Sequence, residues 1–297
     1  MNWSWTIFFI ITIIIVAFVA ISSLISYYLS KWLAKWVKNV RRIDDRRDLG
    51  PKTKEIVRIV RKVSRIYKMK MPEVGIYPSQ EINAFATGPA GNTLIAFSSN
   101  LIEVMSLEEI RGVVGHELSH LIHYDIGRIL LVQGIFDVFY WIFSFLLFWF
   151  LFQPRKRDDE EGGMGELVGF FIKMILFHII TAIVRLIGIL FVLWYNRKRE
   201  LAADKRGAEV VGIDDMLAAL RKLQELENKA WIVDGIDLTE DERTKGQGEP
   251  NSVSLLKFNP EKKKRGLVDL FRTHPSLEER IERLEKLKKQ RTLSGIV

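Results

Sequence analysis

The distribution of apolar positions divides this chain into two kinds of segment. Residues 3–29 form a nearly charge-free apolar run, long enough as a helix to cross a bilayer core of ~30 Å. It lacks a basic n-region and a small-residue cleavage site, so it reads as an anchor rather than a removed signal peptide. Residues 129–152, with Asp137 as the one charge, and residues 167–194, with only Lys173 and Arg185, have the same character. Their length and aromatic content favour membrane spans over a pair of buried helices in a large soluble core.

Elsewhere the pattern is amphipathic. Ser30–Val40 continues the first run, with Trp32 and Trp36 suited to an interface, and Gly50-Pro51 breaks it. Ile56, Val57, Ile59, Val60, Val63, Ile66 and Tyr67 alternate with basic residues at a helical period, predicting a surface-packed helix over 53–69. Val74–Tyr77 and Leu94–Ser98 are short strand candidates between Pro and Gly turns. A further helix is expected with Ser106 as N-cap, Glu108 and Glu109 in its first turn, and an apolar face of Ile110, Val113, Val114, Leu118 and Leu121. Others are expected at 214–230 and from a Ser276 cap to about Gln290. Residues 231–266 are poor in apolar side chains and contain Gly246, Gly248, Pro250 and Pro260, which predicts a long loop or partly disordered flap, a candidate lid. No internal repeat is visible.

Charge adds an orientation. Lys31, Lys35, Lys38, Arg41, Arg42, Arg46 and Arg47 follow the first run, and Arg197, Lys198 and Arg199 follow the third. The positive-inside rule then puts the N-terminus outside and residues 50–128 and 196–297 in the cytoplasm, although Arg155, Lys156 and Arg157 run against this assignment. The formal charge of +8 has no nucleic-acid motif to go with it and is explained by anionic headgroups beside the spans. With no cysteine, disulfide partners and thiolate metal ligands are excluded.

The chemistry lies in His116-Glu117-Leu118-Ser119-His120. Positions four apart on a helix are about 40° apart around its axis, so both imidazoles can reach one zinc ion at roughly 2.0–2.1 Å. Glu117 then stands beside the open coordination position, where a carboxylate takes a proton from a water acidified by the metal. A catalytic zinc ordinarily has a third protein ligand, for which Glu200, His123, Asp125 and His274 are candidates. The hairpin formed by 129–195 favours Glu200, because it returns the chain to where His116 and His120 left it. Asp204, one turn further, can hold the far nitrogen of a liganding histidine; Asp125 is assigned a supporting or structural carboxylate role, and His123 a packing or surface role. His178, inside the third run, is expected to make a neutral helix–helix contact.

His116-Glu117-x-x-His120, Glu200-x-x-x-Asp204, Asn83-Ala84-Phe85-Ala86-Thr87-Gly88 and Thr273-His274-Pro275-Ser276 occur in the order seen in the HtpX family of membrane-embedded zinc endopeptidases, which the chain resembles over most of residues 50–290. That family is similar to the CAAX prenyl proteases. The resemblance implies Glu200 as third ligand, Asn83, Ala84 and Phe85 beside the substrate, and the Leu94–Ser98 strand offering an edge to an extended peptide. It also implies His274 near the site as an oxyanion donor, with Arg280 close by.

The expectation is therefore a mainly α, membrane-embedded protein in which transmembrane helices accompany a zincin-like α+β catalytic domain with a small β-sheet. It divides into an anchor and amphipathic stretch (1–49), a first catalytic part (50–128), a membrane hairpin (129–195) and a second catalytic part (196–297). One zinc ion per subunit, membrane-protein or unfolded polypeptide substrates, and a multi-pass place in the cell membrane with the site facing the cytoplasm complete it. A prenyl-type protease and an assembly factor with a structural metal are the rival readings.

Overall fold

The computed structural model of the protein describes residues 3–43, 50–152, 164–234 and 275–294. It is mainly helical, with a small mixed sheet, and falls into two compact units.

The first unit comprises Met1–Tyr27 and Gly127–Tyr195. It holds the apolar parts of α1 (Trp3–Val37), α5 (Asp125–Leu151) and α6 (Met164–Val211). All three helices are long and apolar enough to cross a membrane. No more than 11% of any of their apolar windows is buried, so the alternative of core helices in a soluble domain fails. Phe18 and Phe150 point outward at 71% and 74% exposure, as lipid solvation requires and water forbids. Gly188 on α6 leaves room for the Phe136 ring of α5. His178 lies on the exposed side of α6 with its ring 5.4 Å from that of Phe177, not in the helix–helix contact expected of it.

The second unit, Tyr28–Ile126 and Asn196–Val297, carries the sheet. Its strands are β1 (Arg41–Arg42), β2 (Glu73–Tyr77), β3 (Ala84–Thr87) and β4 (Leu94–Ser98), in the order β1-β2-β4-β3. β2 and β4 are parallel, Glu73 facing Leu94 and Tyr77 facing Ser98; β1–β2 and β3–β4 are antiparallel. This corrects the expectation for Leu94–Ser98. All five residues of β4 are buried and both its sides are paired, so it offers no edge to a peptide. Its unbroken apolar run is the mark of a central strand. The outer strand on that side is β3, built from the Asn83–Gly88 segment itself.

Around the sheet, α2 (Pro51–Ile66) begins with Pro at its first position and ends where Lys68 turns left-handed (φ 51°), with Met69 N donating to Ser64 O and Lys68 N to Arg65 O. Its apolar face of Ile56, Val57, Val60 and Val63 packs with Ile95 and Phe97 of the sheet and with Ile110, Val114 and Leu118 of α4 (Leu107–Ile122). A short α3 (Ser99–Val104), capped by Ser98, joins β4 to α4. α7 (Ile213–Asp234) and α8 (Leu277–Leu293) form a second small core of Met216, Leu217, Leu220, Ile281 and Leu284. The 231–266 stretch thus begins inside α7, and from 235 onward it lies outside the described residues.

Candidate metal centre

Helix α4 starts with a reciprocal cap. The Ser106 hydroxyl accepts from Glu109 N (3.3 Å) and the Glu109 carboxylate accepts from Ser106 N (2.7 Å). From this start, His116 and His120 fall on one face and Glu117 beside them, buried to 5% exposure. The helix stops two residues after the second histidine at Ile122, and Tyr124 adopts a left-handed conformation (φ 55°). That reversal starts α5 at Asp125, whose carboxylate reaches back to His120 Nδ1 at 2.8 Å.

Glu200 and Asp204 come from α6, which crosses α4 where neither helix has a side chain. A Cβ on Gly207 would lie 3.1 Å from the main chain of Gly115 and His116, and a Cβ on Gly115 would meet Val211 at 2.6 Å. Backbone-to-backbone contact beside His116 is what lets a carboxylate two turns earlier on α6 reach the imidazoles. Arg111 ties α4 to α7 through Asp215 (2.7 and 3.2 Å), and Gly112 lets the same two helices close up.

The result is a triangle. His116 Nε2 and His120 Nε2 are 3.2 Å apart, and the Glu200 carboxylate oxygens lie 3.4 Å from the first and 3.5 Å from the second. Ligands at 2.0–2.1 Å from a tetrahedral zinc are separated by about 3.3 Å, so the spacing fits. The proton positions fit as well. Asp204 Oδ1 accepts from His116 Nδ1 (2.9 Å) and Asp125 Oδ2 from His120 Nδ1 (2.8 Å). Carboxylates only accept, so each Nδ1 carries a proton, and each Nε2 is left for a cation shared with the Glu200 carboxylate. Three acceptors converging at this distance call for a cation. Burial alone would lower the His116 pKa, but the Asp204 and Glu200 carboxylates outweigh it and raise it to about 10. A metal ion displaces the proton held there.

Asp204 is itself clamped. Arg280, on the first turn of α8 and 7% exposed, donates from Nε to Oδ2 and from Nη2 to Oδ1, each at 2.7 Å. Burial disfavours the charged guanidinium, yet Asp204 more than offsets this and its pKa lies above the ordinary arginine value. Ser276 caps the helix that presents it, accepting from Glu279 N at 3.2 Å.

His116, Glu117, His120, Glu200, Asp204, Asp125 and Arg280 are thus brought together. His123 is not; its Nδ1 lies 2.9 Å from Ser119 O at the end of α4. His274 lies outside the described residues. Asn83, Ala84 and Phe85 stand at the start of β3, which packs on α4. Tyr77 lies against them. Its hydroxyl donates to Asn83 O (3.4 Å), its ring lies 5.6 Å from that of Phe85, and burial together with Glu81 and Glu117 raises its pKa. Sequence reasoning passed over Tyr77 and the Gly115–Gly207 contact. For the glycines a signal existed, since Gly112-x-x-Gly115 and Ala203-x-x-x-Gly207 are small-residue pairs on one helix face.

A metal-dependent hydrolase carried on membrane-length helices is the class to which such a site and fold correspond. The chain belongs to peptidase family M48, whose family model matches residues 51–288. It is 38% identical over 239 residues to "Protease HtpX homolog" of Bacillus subtilis (strain 168), covering 80% of this chain and 71% of that protein. The homolog of the same name from Methylacidiphilum infernorum is 34% identical over 233 residues (78% and 71%), and "Protease HtpX" of Stutzerimonas stutzeri 33% over 232 (78% and 72%). Among solved structures, S. mikatae Ste24p matches with a TM-score of 0.61 at 14% identity, over 92% of this chain and 58% of that one. This chain therefore spans less than two thirds of Ste24p, and the likeness is one of fold. The motif-based resemblance to the HtpX family is borne out, and the protein is a membrane metalloprotease.

Proposed function

We propose that one zinc ion per subunit is held by His116, His120 and Glu200, and that the protein is an endopeptidase cleaving exposed segments of unfolded or misassembled membrane proteins, in protein quality control. The triangle of two Nε2 atoms and one carboxylate, closed by edges of 3.2, 3.4 and 3.5 Å, carries the reading. When bound, zinc supplies Lewis acidity toward the scissile carbonyl and toward an attacking water. Glu117 takes the proton of that water and passes it to the leaving amine, so no covalent intermediate with the chain forms. Asp204 and Asp125 hold the two imidazoles in the Nδ1-protonated form, and Arg280 fixes Asp204. An extended substrate adds to the outer strand β3 beside Asn83, Ala84 and Phe85. The buried Asn83 Oδ1, which has no hydrogen-bond partner among the described residues, supports a polar substrate contact there. His274 supplies an oxyanion donor.

The test uses purified full-length protein with one equivalent of zinc and an unfolded membrane protein. Glu117→Gln is expected to keep the metal and lose activity by roughly 10²–10⁴-fold. Glu200→Ala is expected to lose both. An unchanged rate in Glu117→Gln removes the proposal. Equal cleavage of farnesylated and non-lipidated peptides separates a general endopeptidase from a prenyl-type one.

A further inference from the structure

Two charges stand on the outer surface of the first unit, and the metal centre uses neither. Asp137 of α5 and Arg185 of α6 are both exposed. Asp137 lies about 12 Å inside the apolar run that starts at residue 129, within a hydrocarbon core of ~30 Å. A carboxylate is too short to regain the headgroups from there, and ionisable side chains at this depth are rare unless they meet a partner. Among the described residues Asp137 makes no hydrogen bond or ion pair. Arg185 has the Tyr140 ring, whose centroid is 5.9 Å from its guanidinium carbon, and no carboxylate.

The two charges sit at one level. α5 and α6 run antiparallel, with Phe136 against Gly188, Phe148 against Phe177 and Phe152 against Phe170. From the Phe136–Gly188 contact, Asp137 is one residue and Arg185 three residues further into the bilayer, so their heights differ by roughly 3 Å. Gln133, exposed one turn before Asp137, and Trp141, exposed one turn after it, extend the same face of α5. Acyl chains solvate a carboxylate and an amide poorly, so this face calls for a polar partner inside the membrane. Residues 44–49, 153–163 and 235–274 are too rich in charge to enter hydrocarbon and supply one.

We propose that two copies of the chain meet on this face, Asp137 of each pairing with Arg185 of the other. Depth is what selects a second copy. A two-fold axis along the membrane normal leaves every residue at its own height, so opposite charges at equal height pair twice across it. The chain carries such a pair, and one two-fold contact satisfies both members in both copies. Within a single copy the guanidinium turns to Tyr140, one turn from Asp137, and the carboxylate is left over. A guanidinium held over a ring keeps its N–H donors for a carboxylate.

Resonance energy transfer between full-length copies labelled at Lys289→Cys and reconstituted in lipid vesicles reads the association, since the chain has no cysteine of its own. Wild type should associate. Asp137→Arg alone and Arg185→Asp alone each break both pairs and set like charges together, and each should weaken association by at least about tenfold. An equal mixture of the two variants should restore it, because the exchanged signs then meet between copies although each copy by itself carries two like charges. That recovery also shows that both variants fold and insert. Asp137→Asn adds no charge and should weaken association by about threefold, an independent reading, with circular dichroism as the check on folding, if the reversals misfold. A monomeric wild type, single variants that associate as wild type does, or a mixture no better than either variant alone would overturn the proposal. Capture of a model transmembrane helix with a mid-span arginine by a monomeric wild type would assign the face to another membrane protein instead.

Discussion

Asp204 joins His116 to Arg280 in the metal centre. One oxygen accepts from His116 Nδ1 and both are bridged by Arg280, all within 2.9 Å and inside a site where Asp204 itself is 2% exposed. Its effect is to settle which imidazole nitrogen keeps a proton and which faces the cation. Asp204→Asn preserves the shape but offers one acceptor oxygen instead of two, and leaves the Arg280 charge without its partner. Zinc affinity should fall by about 10–100-fold, read by competition against a chelator of known affinity, while Glu117→Gln leaves it intact. An affinity equal to wild type would show that the carboxylate only packs the site. Removing Arg280 would strand the acid in turn, and a broken buried pair costs about 3–5 kcal/mol.

Elements contribute by how closely they can approach. α4 and α6 meet main chain to main chain at Gly115 and Gly207, and that contact sets where Glu200 and Asp204 stand relative to the two histidines. Gly207→Val places branched carbon where the Gly115 and His116 backbone atoms now lie 3.1 Å from an added Cβ. Overpacking of this kind costs about 1–3 kcal/mol, and here it is relieved by moving the helices apart. The expected result is a protein that keeps its helical circular dichroism yet binds less than one zinc per chain and cleaves nothing. Full zinc occupancy in Gly207→Val would contradict the crossing argument. β4 is instructive at the same scale. Its Leu-Ile-Ala-Phe run marks a strand, but not its place in the sheet, and the structure seats it between β2 and β3, leaving β3 outermost.

At the scale of the molecule, basic residues after the first and third apolar runs predict, by the positive-inside rule, that the segments bearing the metal centre face the cytoplasm, against the countersign of Arg155–Arg157. The absence of cysteine makes this simple to check. A single cysteine replacing the exposed Lys286 or Lys289 should resist a membrane-impermeant maleimide in intact cells and react after permeabilisation. Labelling in intact cells would invert the topology.

What the chain determines locally was legible. The metal helix, its Ser106–Glu109 cap, the Ser276 cap of α8 and the membrane-length runs each depend on residues within a turn or two of one another, or on unbroken composition. The pair His116 and His120 with Glu117 follows from helical period alone. Residue reading favoured Glu200 over three other candidates for third ligand because the hairpin returns there, and it gave Asp204 the far nitrogen of a liganding histidine without saying which one. Their partners lie far off in sequence, His116 88 positions from Asp204 and Arg280 76 from it. No periodicity spans such distances. Packing decides them: two glycines that let helices touch, a left-handed Tyr124 that returns Asp125 to His120, and a sheet order set by which strand is buried on both sides.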